Sequence, residues 1–168
     1  MGRTARTYAE VTEASAIIEE LCGKYPEVFW AVQPHTVTVL GIDNVERTEK
    51  AVKKNNVWSQ LRNIKGVEGA LFAKNNIPVR YVIELFWSDW NRWSRALKTC
   101  VIAERLLEIT PEVDKKNSPD CKGFKILLDA IGIDWGVEGG NPPDLLSEVG
   151  AKFNLDLRPG LDEESEEE

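Results

Sequence analysis

The chain has 168 residues, of which 42% are hydrophobic and 29% charged, and its formal net charge is −7. This length is typical of one domain, and the composition is too apolar for a disordered protein. Because no apolar run approaches the roughly 18 residues of a membrane-spanning helix, and neither a secretory signal nor a myristoylation motif is apparent, we predict a globular, cytoplasmic protein that does not bind membranes.

The negative charge is concentrated at the C-terminus. Residues 162–168 carry six acids and no base, so the rest of the chain sums to −1. Like charges repel, and we therefore expect a single domain over residues 1–160 followed by a disordered acidic tail over residues 161–168. The three cysteines have no regular spacing, which is typical of reduced thiols in a cytoplasmic protein.

The first half of the chain predicts a helix and several strands. Apolar residues at helical spacing predict a helix over residues 8–23, and β-branched residues predict a strand over 36–40. The weak, polar pattern of residues 45–63 indicates a long loop or a surface helix. Strands predicted over 67–73 and 79–86 would form a hairpin through the turn between them.

The second half predicts mainly helices. Ser88 and Asp89 offer an N-cap for one helix extending to about Ile109, before Thr110 and Pro111 stop it. A loop over 112–119, a helix over 120–131 and a loop over 136–143 follow. One or two helical turns are predicted over 144–149 and a short strand over 153–157. These elements indicate an α+β fold with a small mixed or antiparallel sheet packed against the N-terminal helix and the central helix.

A carboxylate lies in the middle of the apolar face predicted for the helix over residues 89–109. At about 100° per residue this face carries Trp93, Ala96, Leu97, Cys100, Ala103 and Leu107, with Glu104 among them. A buried carboxylate is costly unless it is paired or bound to a metal, and Cys100 lies one turn earlier, so the two side chains could share a cation. The alternative is that Cys100 is a small buried hydrophobe while Glu104 reaches an arginine or solvent. Arg105 is expected on the solvated face.

The histidine content restricts the chemistry. The chain has one histidine, His35, and this excludes zinc sites with two histidines. We expect His35 at the surface or hydrogen-bonded in a loop. The glycines also lack the context of a phosphate-binding loop, so nucleotide binding has no support.

The order of features from Tyr8 to Trp135 resembles the phage-type zinc metallopeptidases. The resemblance rests on a helix, strands, a strand leading into a tryptophan-containing helix start, the sequence Arg95-Ala96-Leu97, and a later segment that begins Asp120-Cys121-Lys122-Gly123-Phe124. It implies a zincin-like fold, in which a sheet is followed by a helix carrying His-Glu-x-x-His and a His-Asp pair opens a later short helix. Counted from Ala96-Leu97, Cys100 and Glu104 stand where the family has its zinc histidines.

The family's catalytic residues are replaced in this match. Val101 stands in place of the general-base glutamate and cannot take a proton from a zinc-bound water, and Pro119-Asp120 stands where the family has His-Asp. Peptidase activity by that route is therefore not expected. What the resemblance leaves is a possible metal site, in which Cys100, Glu104 and Asp120 would hold zinc through one sulfur and two carboxylates.

Three hypotheses of function follow. The first is a catalytically inactive, metallopeptidase-like accessory protein that binds a protein partner, encoded by a virus or mobile element and acting in the host cytoplasm. It requires no cofactor. The second is a metal-dependent hydrolase that uses the Cys100, Glu104 and Asp120 site. The third is a nucleic-acid-associated protein that uses the basic residues Arg47, Lys50, Lys53, Lys54, Arg62 and Lys65.

Overall fold

The computed structural model describes residues 4–112, 115–119, 123–137 and 140–160. Within them the fold is α+β, as predicted, and consists of a four-stranded mixed sheet, six α-helices and two short 3₁₀ turns. The strands are β1 (Tyr8–Glu10), β2 (Val37–Ile42), β3 (Ser59–Asn63) and β4 (Tyr81–Phe86). The helices are α1 (Thr12–Lys24), α2 (Glu49–Lys54), α3 (Gly66–Lys74), α4 (Trp87–Arg92), α5 (Arg95–Leu106) and α6 (Lys125–Ile131). The predicted acidic tail over 161–168 lies outside the described residues.

The sheet has the strand order β1-β2-β4-β3. β2 and β4 are parallel, whereas β1 and β3 pair antiparallel with their neighbours. The prediction of a helix from residue 8 is therefore wrong at its start, because residues 8–10 pair with β2 before α1 begins. The polar segment 45–63, expected to be a loop or a surface helix, contains the helix α2 but also β3, which forms one edge of the sheet.

The hairpin predicted from residues 67–73 and 79–86 is wrong. Its first segment is the helix α3, and β4 pairs with β3 instead. A run of seven mostly apolar residues fits a helix as well as a strand, so periodicity cannot separate the two. α3 buries none of its residues, and Val67 is 79% exposed.

The core lies between the sheet and the helices α1 and α5. All six residues of β4 are buried, and Ile83 and Leu85 belong to the same apolar cluster as Ile18 of α1 and Ile102 of α5. α5 buries seven of its twelve residues, so it is enclosed on more than one face. No helix in the described ranges is long and apolar enough to cross a membrane.

The single helix predicted over residues 89–109 is two helices. α4 ends at Arg92, and α5 restarts at Arg95 after Trp93 and Ser94 adopt extended backbone angles. The Ser94 side chain accepts a hydrogen bond from the backbone N–H of Leu97 at 3.2 Å. Serine is a strong N-cap residue, and this bond satisfies one of the free N–H groups at the start of α5.

The C-terminal segment contains turns where helical turns and a strand were predicted. Residues 144–149 form no helix, and the segment predicted as a strand contains the 3₁₀ turn Leu155–Leu157. Leu145 is fully buried, and its carbonyl accepts a hydrogen bond from the Tyr25 hydroxyl at 2.5 Å. The helix expected over 120–131 is α6, which begins at Lys125; residues 120–122 lie outside the described part of the chain.

Candidate functional site

Cys100 lies on α5 as predicted, but its environment is that of a neutral thiol. The side chain is fully buried, with Sγ 3.9 Å from the carbonyl oxygen of Pro143. Burial raises the pKa of the thiol to about 12, and the nearby carboxylates of Asp144 and Glu104 add to the effect. A thiol in this environment behaves as a small hydrophobic side chain.

Glu104 is paired with a cation from the chain itself. Its Oε2 lies 3.1 Å from an Nη of Arg105, and a second Nη of Arg105 lies 3.2 Å from Oε2 of Glu108. The Glu104 and Glu108 side chains are each 14% exposed, and that of Arg105 is 16% exposed. We call these three residues the Glu-Arg-Glu cluster. The expectation that Arg105 lies on a solvated face is wrong, because its guanidinium is held between the two carboxylates.

Burial is the main cause of the pKa shifts of the two glutamates in this cluster. It raises the pKa of both Glu104 and Glu108 above the ordinary value, and the neighbouring Arg105 only partly offsets the effect. The backbone before α6 passes close by: a Cβ built on Gly123 would lie 3.4 Å from Oε1 of Glu104. The carboxylate is thus covered by protein on this side.

Two members of the Glu-Arg-Glu cluster, Glu104 and Arg105, line a cleft of about 370 Å³. The cleft is also lined by residues of α6 and the loop after it, by the end of α2 and by the start of β3. The lining residues are Lys54, Asn55, Val57, Trp58, Ser59, Glu104, Arg105, Leu128, Ile133, Trp135, Gly136 and Val137. The cleft therefore combines aromatic and aliphatic walls with a buried ion pair.

Two members of the predicted metal site, Cys100 and Glu104, lie on α5 one turn apart. In this structure the carboxylate of Glu104 is paired with Arg105. The described ranges contain no group of three or more His, Cys, Asp or Glu side chains placed to hold a metal ion. Asp120 lies outside these ranges, so the complete set of Cys100, Glu104 and Asp120 stays a prediction.

The basic residues proposed for nucleic-acid binding are only partly available. Arg47 pairs with Asp89, Lys53 with Glu49, and Arg62 with the buried Glu84. Lys50, Lys54 and Lys65 are exposed, as is His35. Arg47 therefore contributes to the fold, whereas Arg62 and Lys53 are more than half exposed despite their pairs. The nucleic-acid hypothesis stays a prediction that rests on Arg62 and the four lysines.

Sequence reasoning did not identify Glu108 or the tryptophans of the cleft as site residues. The spacing of Glu104 and Glu108, four residues apart with an arginine between them, was the available signal, since residues at this spacing lie on one helix face. Trp58 and Trp135 come from segments far apart in the sequence, and no local pattern predicts that they line the same cleft.

The comparisons with known proteins leave the function to be argued from this geometry. Neither the scan of protein-family models nor the searches of curated proteins and of solved structures found a match to the chain.

Proposed function

We propose that the chain is a catalytically inactive, metallopeptidase-like accessory protein that binds a segment of a protein partner in the cleft between β3 and α5. We place it in the cytoplasm, that of the host if the gene is viral or from a mobile element. The observation that carries the proposal is the cleft itself, in which aromatic and aliphatic side chains lie beside the ion pair of Glu104 with Arg105.

The metallopeptidase-like part of the proposal rests on the resemblance that starts at Ala96-Leu97. In zincins one helix carries two histidine ligands four residues apart, and the general-base glutamate follows the first. In this match Cys100 and Glu104, both on α5, would stand at the histidine positions and Val101 at the position of the base. Val101 is a buried valine, so it cannot take a proton from water.

The walls of the cleft favour a protein segment as the ligand. Aromatic and aliphatic side chains such as Trp58, Leu128 and Trp135 suit an apolar anchor residue, and the volume is within the range of small-ligand sites. The cleft begins where the edge strand β3 begins, so backbone groups of Ser59 are close to any chain that lies in it. Further along this edge the Lys116 ammonium donates to the Leu61 carbonyl at 2.5 Å, which limits strand pairing there.

A library of displayed random peptides would test this proposal. Peptides selected on the wild type should bind at least about tenfold more weakly to Val137→Glu, because Val137 lines the cleft and is 48% exposed. Val149→Glu is the matched control, since this valine is 95% exposed and does not line the cleft. Both substitutions are at the surface and should leave the fold intact.

Two results would overturn the proposal. If the selected peptides bind both valine variants as well as the wild type, the cleft is not the binding site. If the wild type cleaves them when zinc is added, and stops after chelation, the metal-dependent hydrolase is correct instead.

A further inference from the structure

A second cavity lies at the end of α5 and is larger than the cleft. Its volume is about 570 Å³, and none of the described residues lines both cavities. The loop after α1 contributes Phe29 and Val32, whose side chains are buried, and Trp30, whose side chain is 62% exposed. We call this cavity the Trp30 groove. An indole that stays in contact with water beside an apolar cavity is typical of a binding surface.

The rim of the Trp30 groove has an excess of positive charge. Among the described lining residues the charged ones are Lys115, Lys116, Arg158 and Glu112. Lys115 pairs with Glu112 at 2.8 Å, and both side chains are more than 60% exposed, so the pair is weak. Lys116 interacts with Glu108, and Nε of Arg158 donates to a backbone carbonyl at 3.0 Å. The cations outnumber the acids even when Glu108 is counted, and the rim therefore favours an acidic ligand.

The described part of the chain ends at this groove. Gly160, the last residue of the described ranges, lines the groove and has a φ of 84°. A Cβ built on Gly160 would lie 3.6 Å from Oδ1 of Asn117. The amide of Asn117 donates to the Leu107 carbonyl at 3.1 Å, which fixes this segment to the end of α5. Asn117 directly follows Lys115 and Lys116, so the residue after Gly160 begins beside the basic rim.

The sequence after Gly160 has the composition that this groove favours. Leu161 is apolar, and the seven residues after it carry six acids. Consecutive Cα atoms are about 3.8 Å apart, so Leu161 starts within reach of the apolar lining and the first acids within reach of the rim. We propose that the Trp30 groove is the docking site of the chain's own residues 161–168, with Leu161 as the apolar anchor and the acids against the cations of the rim.

Covalent attachment makes weak contacts sufficient for this docking. One apolar anchor and a few exposed charge pairs would bind a separate peptide only weakly. An attached segment is present at an effective concentration in about the millimolar range, so it occupies the groove without high affinity. The cations of the rim also offset the repulsion among the six acids. The inference concerns a cavity separate from the cleft, and it does not depend on the proposed function.

Acrylamide quenching of tryptophan fluorescence tests the proposal on the wild-type chain, since Trp30 is exposed and the other five tryptophans are buried or partly buried. At low salt, a chain that ends at Gly160 should be quenched about twofold more strongly than the full chain, as expected if the segment covers the indole in half of the molecules. At about 1 M salt, where the Debye length is about 3 Å, the difference should decrease. In Trp30→Phe the truncation should have no effect on quenching.

Two substitutions in the full chain separate the anchor from the charges. Leu161→Ser keeps every charge and should be quenched like the truncated chain. Lys115→Glu reverses a charge of the rim and should also increase quenching. Its matched control is Lys50→Glu, an equally drastic change at an exposed lysine of α2 that does not line the groove, and this variant should behave like the wild type.

Three results would overturn the proposal. The first is equal quenching of the full and truncated chains at low salt. The second is a Lys115→Glu variant that is quenched no more than Lys50→Glu. The third is protection of Trp30 that grows with protein concentration, because the segment would then dock on a second copy of the chain.

Discussion

The contribution of the buried Arg47–Asp89 ion pair to the free energy of unfolding distinguishes a structural role of Arg47 from a role in binding nucleic acid. An Nη of Arg47 lies 3.0 Å from Oδ2 of Asp89, and the two side chains are 8% and 1% exposed. The same guanidinium donates to the carbonyls of Ala51, at 2.8 Å, and Asn55, so it also holds α2 in place. Arg47→Ala removes all these contacts and leaves a buried carboxylate.

The expected cost follows from the partners that remain. Removing one member of a buried pair typically costs about 3–5 kcal/mol, because the other charge is left without compensation. Arg92 also pairs with Asp89, but its side chain is 54% exposed, so it retains only part of the compensation. We expect a loss of about 3 kcal/mol. With a urea m-value of about 2 kcal/mol/M this lowers the unfolding midpoint by about 1.5 M.

Urea unfolding followed by tryptophan fluorescence measures this shift. The control is Lys50→Ala on α2, an exposed lysine whose removal should change stability by less than about 0.5 kcal/mol. If Arg47→Ala is as stable as this control, the buried pair contributes little and the reasoning is refuted. Arg47 would then be available for the nucleic-acid role that the sequence suggested.

Three further predictions follow from burial. Since burial raises the folded-state pKa of Glu104 above 4.5, the stability of the wild type relative to Glu104→Gln should fall as the pH rises through that pKa. A relative stability that rises instead would contradict the burial argument. Iodoacetamide should modify Cys22, which is partly exposed, before the fully buried Cys100, as peptide mass spectrometry can show; equal rates would contradict the closed environment of Cys100. Leu145→Ala should lose about 2–5 kcal/mol in urea unfolding, whereas Val149→Ala should be neutral, because only Leu145 is buried.

The local sequence pattern predicted the secondary structure correctly where an element packs against the core with one face. Helical spacing predicts the buried face of α1, and β-branched residues predict β2. The same pattern gave the wrong secondary structure where pairing between distant segments determines it. The polar segment Ser59–Asn63 is a strand because it pairs with β4, and the apolar segment Gly66–Lys74 is a helix although it buries nothing. The first outcome depends on a pairing strand that is remote in the sequence. The second shows that an apolar run need not pair with a strand or enter the core.

Dependence on distant segments also explains why sequence reasoning chose Cys100 and missed Arg105 and Glu108. A helix wheel assumes one buried face and one solvated face, and on that assumption Arg105 points to water. α5 instead packs against both α1 and β3, and it buries Thr99, Ile102 and Leu106 as well as most of the predicted face. The guanidinium of Arg105 is therefore largely buried, and a buried charge requires a partner of opposite charge. Glu104 and Glu108 are these partners. The buried charge beside the cleft is thus that of Arg105 and its two carboxylates, whereas Cys100 packs within the apolar core.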